Sequence, residues 1–249
     1  MYSLSADEAP NCFKAGYEAA VPGHRNLPRE LRVAAQSLVR VAWDTRRQQD
    51  LFNVFRNFPV FDIMKITTLR LKILQDPAFL EMYRRCDLPD FTAAGIERLR
   101  RLPVGTLGRG LADFVQGRNL DDKFLGYLLP PDNPIRYLVY RTAILHDLVH
   151  YVTEYKPDDV YGEIEVDAFQ LVQTGAANHT MFMGGGLANV ALNWPTRLPH
   201  ALARAELAAE RGRRSRTLFL VEWQARLERP VADVREELGL TPFQGISPW

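Results

Sequence analysis

Residues 133–155 read NPIRYLVYRTAILHDLVHYVTEY, and the periodicity of this stretch decides the fold class. Asn133 followed by Pro134 is an N-cap and first-turn pair. From there Leu138, Thr142, Leu145, Val149 and Val152 recur at helical spacing and form one mostly apolar stripe. Lys156 favours the negative end of such a helix and Pro157 prevents its continuation, so the spacing predicts a long helix reaching about Tyr155. His146 and His150 continue the neighbouring row through Val139 and Ala143, which places both imidazoles at the border of the core.

Outward from this helix the same signals repeat. Glu163 opens a second helix that runs to about Thr174 and ends at Gly175. Upstream, helical patterns cover Arg29 to Arg56 and Asp62 to Leu74, with breaks at Asn57-Phe58-Pro59 and Leu88-Pro89-Asp90. Asp76-Pro77 starts a short helix. Thr92 to Leu102 and Thr106 to Gln116 follow, with Thr106 as an N-cap. Gly117 to Asn133, containing Pro130-Pro131, is a connector. Leu198 to Glu210, Ser215 to Glu228 and Val231 to Leu238 read as three closing helices. No alternating strand series is present. The reading is all-α: a single multi-helix globular domain over residues 29–240, after an irregular segment 1–28 and before a tail 241–249.

The histidine pair carries the chemistry. Residues at i and i+4 lie about 6 Å apart at Cβ on one helical face, close enough for two imidazoles to reach one ion. Asp147 adds a hard oxygen on the shoulder of that face, and Glu163 closes the shell from the second helix. Glu154, at i+4 from His150, is the competing acid. Two nitrogens with carboxylate oxygens suit a divalent metal, zinc first and iron or manganese next. The plain alternative is a pair of satisfied core histidines beside an acid favoured by the helix dipole.

With 31 basic and 30 acidic side chains among 249 residues, no strong field steers the chain toward nucleic acid. Cys12 and Cys86 stand far apart, as in a reducing compartment without a disulfide framework. Met1 to Gly23 carries Asp7, Glu8, Lys14 and Glu18 and has no long apolar core, unlike a signal peptide. No run approaches the ~20 apolar residues needed to span a bilayer. A soluble, cytoplasmic protein is expected, with contact at a membrane surface left open.

The order HDxxH at 146–150, a loop of about a dozen residues and then Gly162-Glu163-Ile164 resembles the coenzyme Q (ubiquinone) biosynthesis protein four family. Leu102-Pro103-Val104-Gly105-Thr106-Leu107-Gly108-Arg109 resembles that family's LPxGTxGR segment, and Gln173-Thr174-Gly175 its short QTG. Gly212-Arg213, Trp223 and the run Pro230 to Leu240 resemble its closing helices. The resemblance implies an all-helical fold holding a metal through His146, Asp147, His150 and Glu163. It implies a part in removing the carboxyl group of a polyprenyl-hydroxybenzoate with hydroxylation at ring carbon one, a lyase-type decarboxylation. Its expected partners are a prenylated aromatic or other apolar small molecule and other pathway enzymes, at a peripheral position on the inner membrane face; a homodimer is a further expectation for the chain.

The chain departs from the pattern in places. The loop from His150 to Glu163 is one residue longer. Arg141-Thr142-Ala143-Ile144 stands where the family has Arg-x-Arg-Glu, and Gln170 replaces an acid. These changes leave room for a divergent member acting on another aromatic or polyketide-like substrate in a specialised pathway. A non-catalytic lipid-binding scaffold with a structural metal is the other alternative.

HD-type phosphohydrolases share the HD pair but need further ligands, and His24, His179 and His200 lack a matching context. Met181, Met183 and Gly184-Gly185-Gly186 suit either the lining of a prenyl channel or flexible core filling with a helix break. Arg211, Arg213, Arg214 and Arg216 suit an anionic surface or a solvated helix end.

Overall fold

The computed structural model describes residues 27–44, 50, 73–116, 134–157 and 159–240. Among these the regular structure is helical, with no strand and one isolated bridge between Thr106 and Pro230. In chain order the helices are α1 (Leu27–Trp43), α2 (Pro77–Arg85), α3 (Ala93–Arg100), α4 (Leu107–Gln116), α5 (Pro134–Thr153), α6 (Val160–Thr174), α7 (Ala177–Asn193), α8 (Leu198–Arg214) and α9 (Val231–Glu237). The all-α reading holds. The expected helix ends at Arg56, Asn57-Phe58-Pro59 and Asp62, the connector after Gln116, and Cys12 and His24 lie outside the described residues.

Local chemistry explains the helix starts. Asp76 accepts from Ala78 N at 2.8 Å ahead of Pro77, and Thr92 accepts from Gly95 N at 3.1 Å. Thr106 Oγ1 accepts from Arg109 N at 3.4 Å while donating to Pro103 O. Asp159 caps α6 by accepting from Tyr161 N, so that helix begins at Val160, one turn before the predicted start, and Glu163 lies within its first turn.

The core forms around α5. Its stripe of Leu138, Thr142, Leu145, Val149 and Val152 is buried throughout, and each of those Leu and Val side chains contributes about 1.5–3 kcal/mol of transfer free energy. Helix α6 packs mainly on α7 and α8 and touches α5 more sparingly. Helices α5 and α6 therefore face each other largely through side chains near the turn that joins them.

Two expectations fail here. The Gly184-Gly185-Gly186 triplet does not break a helix: α7 runs through it unbroken. The reason is close approach, since a Cβ on Gly186 would lie 2.6 Å from Ile164 Cγ1 of α6. Ser215 to Glu228 is not a helix but an irregular segment with two short 3-10 turns, Leu218–Leu220 and Gln224–Arg226. Tertiary contacts override its periodicity. The buried Trp223 indole donates to Leu218 O at 3.2 Å. Arg141, also fully buried, donates to Phe219 O at 2.8 Å and Val221 O at 2.5 Å, and to Asp87 O and the Tyr137 hydroxyl. A helix over 215–228 would turn those carbonyls back onto their own backbone.

The motif segments on either side prove to be docking devices. Leu107 N and Gly108 N donate to Arg229 O and Leu227 O, and Gly105 O accepts from Val231 N. The Gln173 amide donates to Gly212 O, Ser215 Oγ and Arg216 O and accepts from Leu218 N, which closes the end of α8. Replacing Arg141 with Met leaves its buried acceptors without donors and is expected to remove about 3 kcal/mol of stability. A urea denaturation of wild type and Arg141→Met measures this.

Candidate metal centre

His146 and His150 sit on α5 one turn apart, their rings 4.7 Å between centroids and inclined at 67°. His150 is fully buried. Its Nδ1 lies 3.1 Å from Tyr155 O in the turn beyond α5, which places the proton on Nδ1 and leaves the lone pair on Nε2. That Nε2 is buried with no hydrogen-bond donor or acceptor, and 3.4 Å away lies Glu163 Oε1. His146 repeats the arrangement. Its Nδ1 faces Asp147 Oδ1 at 3.4 Å, and its Nε2 faces Glu163 Oε2 at 3.4 Å.

Two imidazole lone pairs thus meet the two oxygens of one carboxylate. Acceptors facing acceptors require a cation between them, either protons or a metal. One ligand atom from each of His146, His150 and Glu163 falls within 4.8 Å of the others, a separation compatible with ligands around one ion. The donor set, two nitrogens and a carboxylate, fits zinc or a comparable divalent metal and leaves coordination positions free. Asp147 is not in this group. It stands behind His146, its Oδ1 3.4 Å from Nδ1, where a carboxylate would orient a ligating imidazole. Glu154 points elsewhere, pairing with Arg235 at 3.0 Å.

Without a metal, protons hold the group together. Burial opposes charge on Glu163, yet the two imidazoles that face its oxygens at 3.4 Å outweigh it and hold its carboxyl at about 2. Burial likewise opposes charge on His146, and the hydrogen bonds to Asp147 and Glu163 override it, raising this imidazole well above its ordinary 6.5.

The turn between α5 and α6 sets the geometry. A Cβ on Gly162 would lie 1.7 Å from Lys156 O, so only glycine lets residues 155–157 cross the start of α6. That crossing brings Tyr155 O to His150 and Glu163 to both imidazoles. Arginines fasten the same end of α5. Arg235 donates to Tyr151 O and Val152 O, and Arg211 donates to Thr153 O with its guanidinium 5.3 Å from the Tyr155 ring centroid.

A family model described as "Coenzyme Q (ubiquinone) biosynthesis protein Coq4" matches residues 26–244. The chain belongs to the Coq4 family of ubiquinone biosynthesis proteins. It is 26% identical over 222 residues to the mitochondrial "Ubiquinone biosynthesis protein COQ4 homolog" of Xenopus laevis, covering 89% of this chain and 76% of that one. The Nematostella vectensis homologue, also named as mitochondrial, is 25% identical, with 80% of this chain and 99% of that one covered. A crystal structure from Nostoc punctiforme PCC 73102 shares the fold, with a TM-score of 0.66 at 23% identity over 87% of this chain and 99% of that chain.

As a Coq4-family chain, the protein also holds a polar pair that its sequence did not single out. His179 of α7, set aside for lack of context, meets Asp167 of α6 at 2.8 Å, and both are buried. Burial raises the Asp167 carboxyl well above its ordinary value. Asp167 lies one turn beyond Glu163, and that spacing was the available signal. His200 stacks edge-on to Tyr161 and joins neither group. The basic cluster is exposed but paired within the chain: Arg213 and Arg214 with Glu210, and Arg216 with Glu237.

Two outcomes are expected. Glu163, lowered below its ordinary 4.5, stabilises the metal-free fold above that value, and the contribution disappears as pH falls toward about 2. His146, raised above 6.5, stabilises it fully below that value, and the contribution disappears as pH rises through its folded value. Denaturation of chelator-stripped protein across pH should show both arms, and Glu163→Gln should flatten them. Gly162→Ala should weaken metal binding on the order of 10-fold by displacing the turn, measured by chelator competition.

Proposed function

We propose that this protein is a metal-dependent enzyme of ubiquinone-type biosynthesis acting on a prenylated aromatic acid. The reaction is oxidative decarboxylation of a polyprenyl-hydroxybenzoate, with carboxyl removal and hydroxylation at ring carbon one. The observation that carries this reading is the buried, partnerless Nε2 of His150 aimed at Glu163. A helix pair with nothing to bind would satisfy that nitrogen internally, and the exposed side of Glu163 favours a catalytic over a closed structural ion.

His146, His150 and Glu163 are the residues that would hold the ion, which supplies Lewis-acid polarisation of a substrate carboxylate or phenolic oxygen. The remaining work falls to the chain. Tyr155 O and Asp147 fix the two imidazole tautomers, so each presents a lone pair inward. Glu163 is 41% exposed and His146 27%, so the open side of the group is accessible to substrate, while His150 is closed off.

A second reading, a scaffold that docks on a lipid surface, draws on the apolar surface where α1 meets α7. Trp43, Leu192 and Trp194 are exposed there, and Asn189 Nδ2 ties the two helices together through Ala42 O at 2.8 Å. Among the described residues no helix is long and apolar enough to cross a membrane, so such contact would be peripheral.

Elemental analysis of purified protein, followed by single-turnover assays with a short-chain prenyl-hydroxybenzoate, separates the two. The enzyme reading expects about one equivalent of divalent metal and loss of both metal and turnover in His150→Ala and Glu163→Ala, with helical circular dichroism retained. Metal-free variants that keep full turnover would sink it. An inert wild-type protein that binds anionic vesicles through Trp43 and Trp194 would favour the scaffold.

A further inference from the structure

The buried face of α6 continues the metal group inward. Glu163, Asp167 and Gln170 occupy positions i, i+4 and i+7 and share one side of the helix. Glu163 faces the two imidazoles and Asp167 is engaged by His179. Gln170 is only 3% exposed, and its Oε1 accepts no hydrogen bond. The buried hydroxyl one turn on does not serve it, since Thr174 donates to the backbone carbonyl of Gln170.

A buried amide oxygen without a donor is an uncommon arrangement that calls for a missing partner. Its place supplies a scale. Seven residues of helix separate Gln170 from Glu163 by about 10 Å. That is close to the span of a metal–oxygen bond of ~2 Å, a para-substituted benzene ring and one hydrogen bond of ~2.8 Å.

We propose that Gln170 is the specificity-determining contact for the substrate ring, its amide oxygen accepting a hydrogen bond from a ring hydroxyl at the end remote from the metal group. The proposal rests on the reading of the protein as a metal-dependent enzyme of an aromatic acid. A neutral amide suits this task. It accepts from a hydroxyl without placing a second negative charge along the row that already carries Glu163, and it rejects rings that lack the donor by leaving its oxygen unpaired.

The test is calorimetric binding of two probes to the zinc-loaded protein: 3-prenyl-4-hydroxybenzoate and the same acid lacking the hydroxyl. Wild type is expected to prefer the hydroxylated ring on the order of 10-fold. Gln170→Met should abolish that preference by weakening only the hydroxylated probe, and Gln170→Glu, which keeps an acceptor oxygen, should retain it. Zinc content is measured in parallel and should be unchanged in both variants.

Equal weakening of both probes by Gln170→Met, or a preference unaffected by it, overturns the Gln170 assignment while leaving the enzyme reading standing. An unaffected preference would mean that a buried water satisfies the amide. Wild-type protein that binds zinc but neither ring overturns the enzyme reading together with this one. Loss of the preference in both variants overturns the acceptor role.

Discussion

The C-terminal end of α5 is where the structure is held under the tightest constraint. A helix ends with carbonyls that have no partners in the helix itself. Here they are answered by charged donors from distant parts of the chain, Arg235 on Tyr151 O and Val152 O and Arg211 on Thr153 O. Cations at this end also complement the helix dipole. The next carbonyl that matters, Tyr155 O, takes the Nδ1 proton of His150. One turn of backbone therefore terminates the long helix, fixes the tautomer of a buried imidazole and starts the crossing over Gly162 that delivers Glu163. Shifting that turn would disturb all three.

Arg141 performs a parallel task one layer away. Its guanidinium is buried against carbonyls of the 215–223 segment and Asp87, with Asp87 Oδ2 3.9 Å off. Burial lowers its pKa, with Tyr137 and Asp87 opposing the change. Planar guanidinium donors suit a set of diverging carbonyl acceptors in a way that a lysine cannot match. Arg141 on α5, the Gln173 amide on α6 and the 105–108 backbone at the start of α4 bind three parts of the helical core to the 212–231 segment. The motif residues outside the HDxxH stretch thus act through architecture, by clamping the segments that supply Arg211 and Arg235.

The candidate site is polar on the inside and apolar around it. His150, Asp167, Gln170 and His179 are all buried, yet α6 and α7 around them are lined by Ile164, Val166, Phe169 and Val190. In such surroundings each polar group needs a partner. The histidines find Glu163, and Asp167 finds His179. Of the departures from the family pattern, Gln170 lies on this buried face of α6, while Thr142 and Ile144 are buried along α5. None of them is among the groups that face one another at His146, His150 and Glu163.

The sequence by itself determined the helices of α2 to α6, because caps such as Asp76, Thr92 and Thr106 and the 3.6-residue stripe of α5 are local signals. It also determined the pairing of His146 with His150, since one turn of helix fixes their separation. Tertiary structure decided the rest. Ser215 to Glu228 has helical periodicity, but Arg141 and Trp223 draw its carbonyls out of a helix. Gly184 to Gly186 reads as a break, but the helix is continuous, and close packing of Ile164 against Gly186 accounts for the glycine at that one position. The choice of Glu163 over Glu154 depended on where Arg235, 81 residues away, would sit, and the Asp167–His179 pair on two helices meeting in space. Contacts between remote segments carry no periodic trace in the sequence, so they become readable only once the chain has folded.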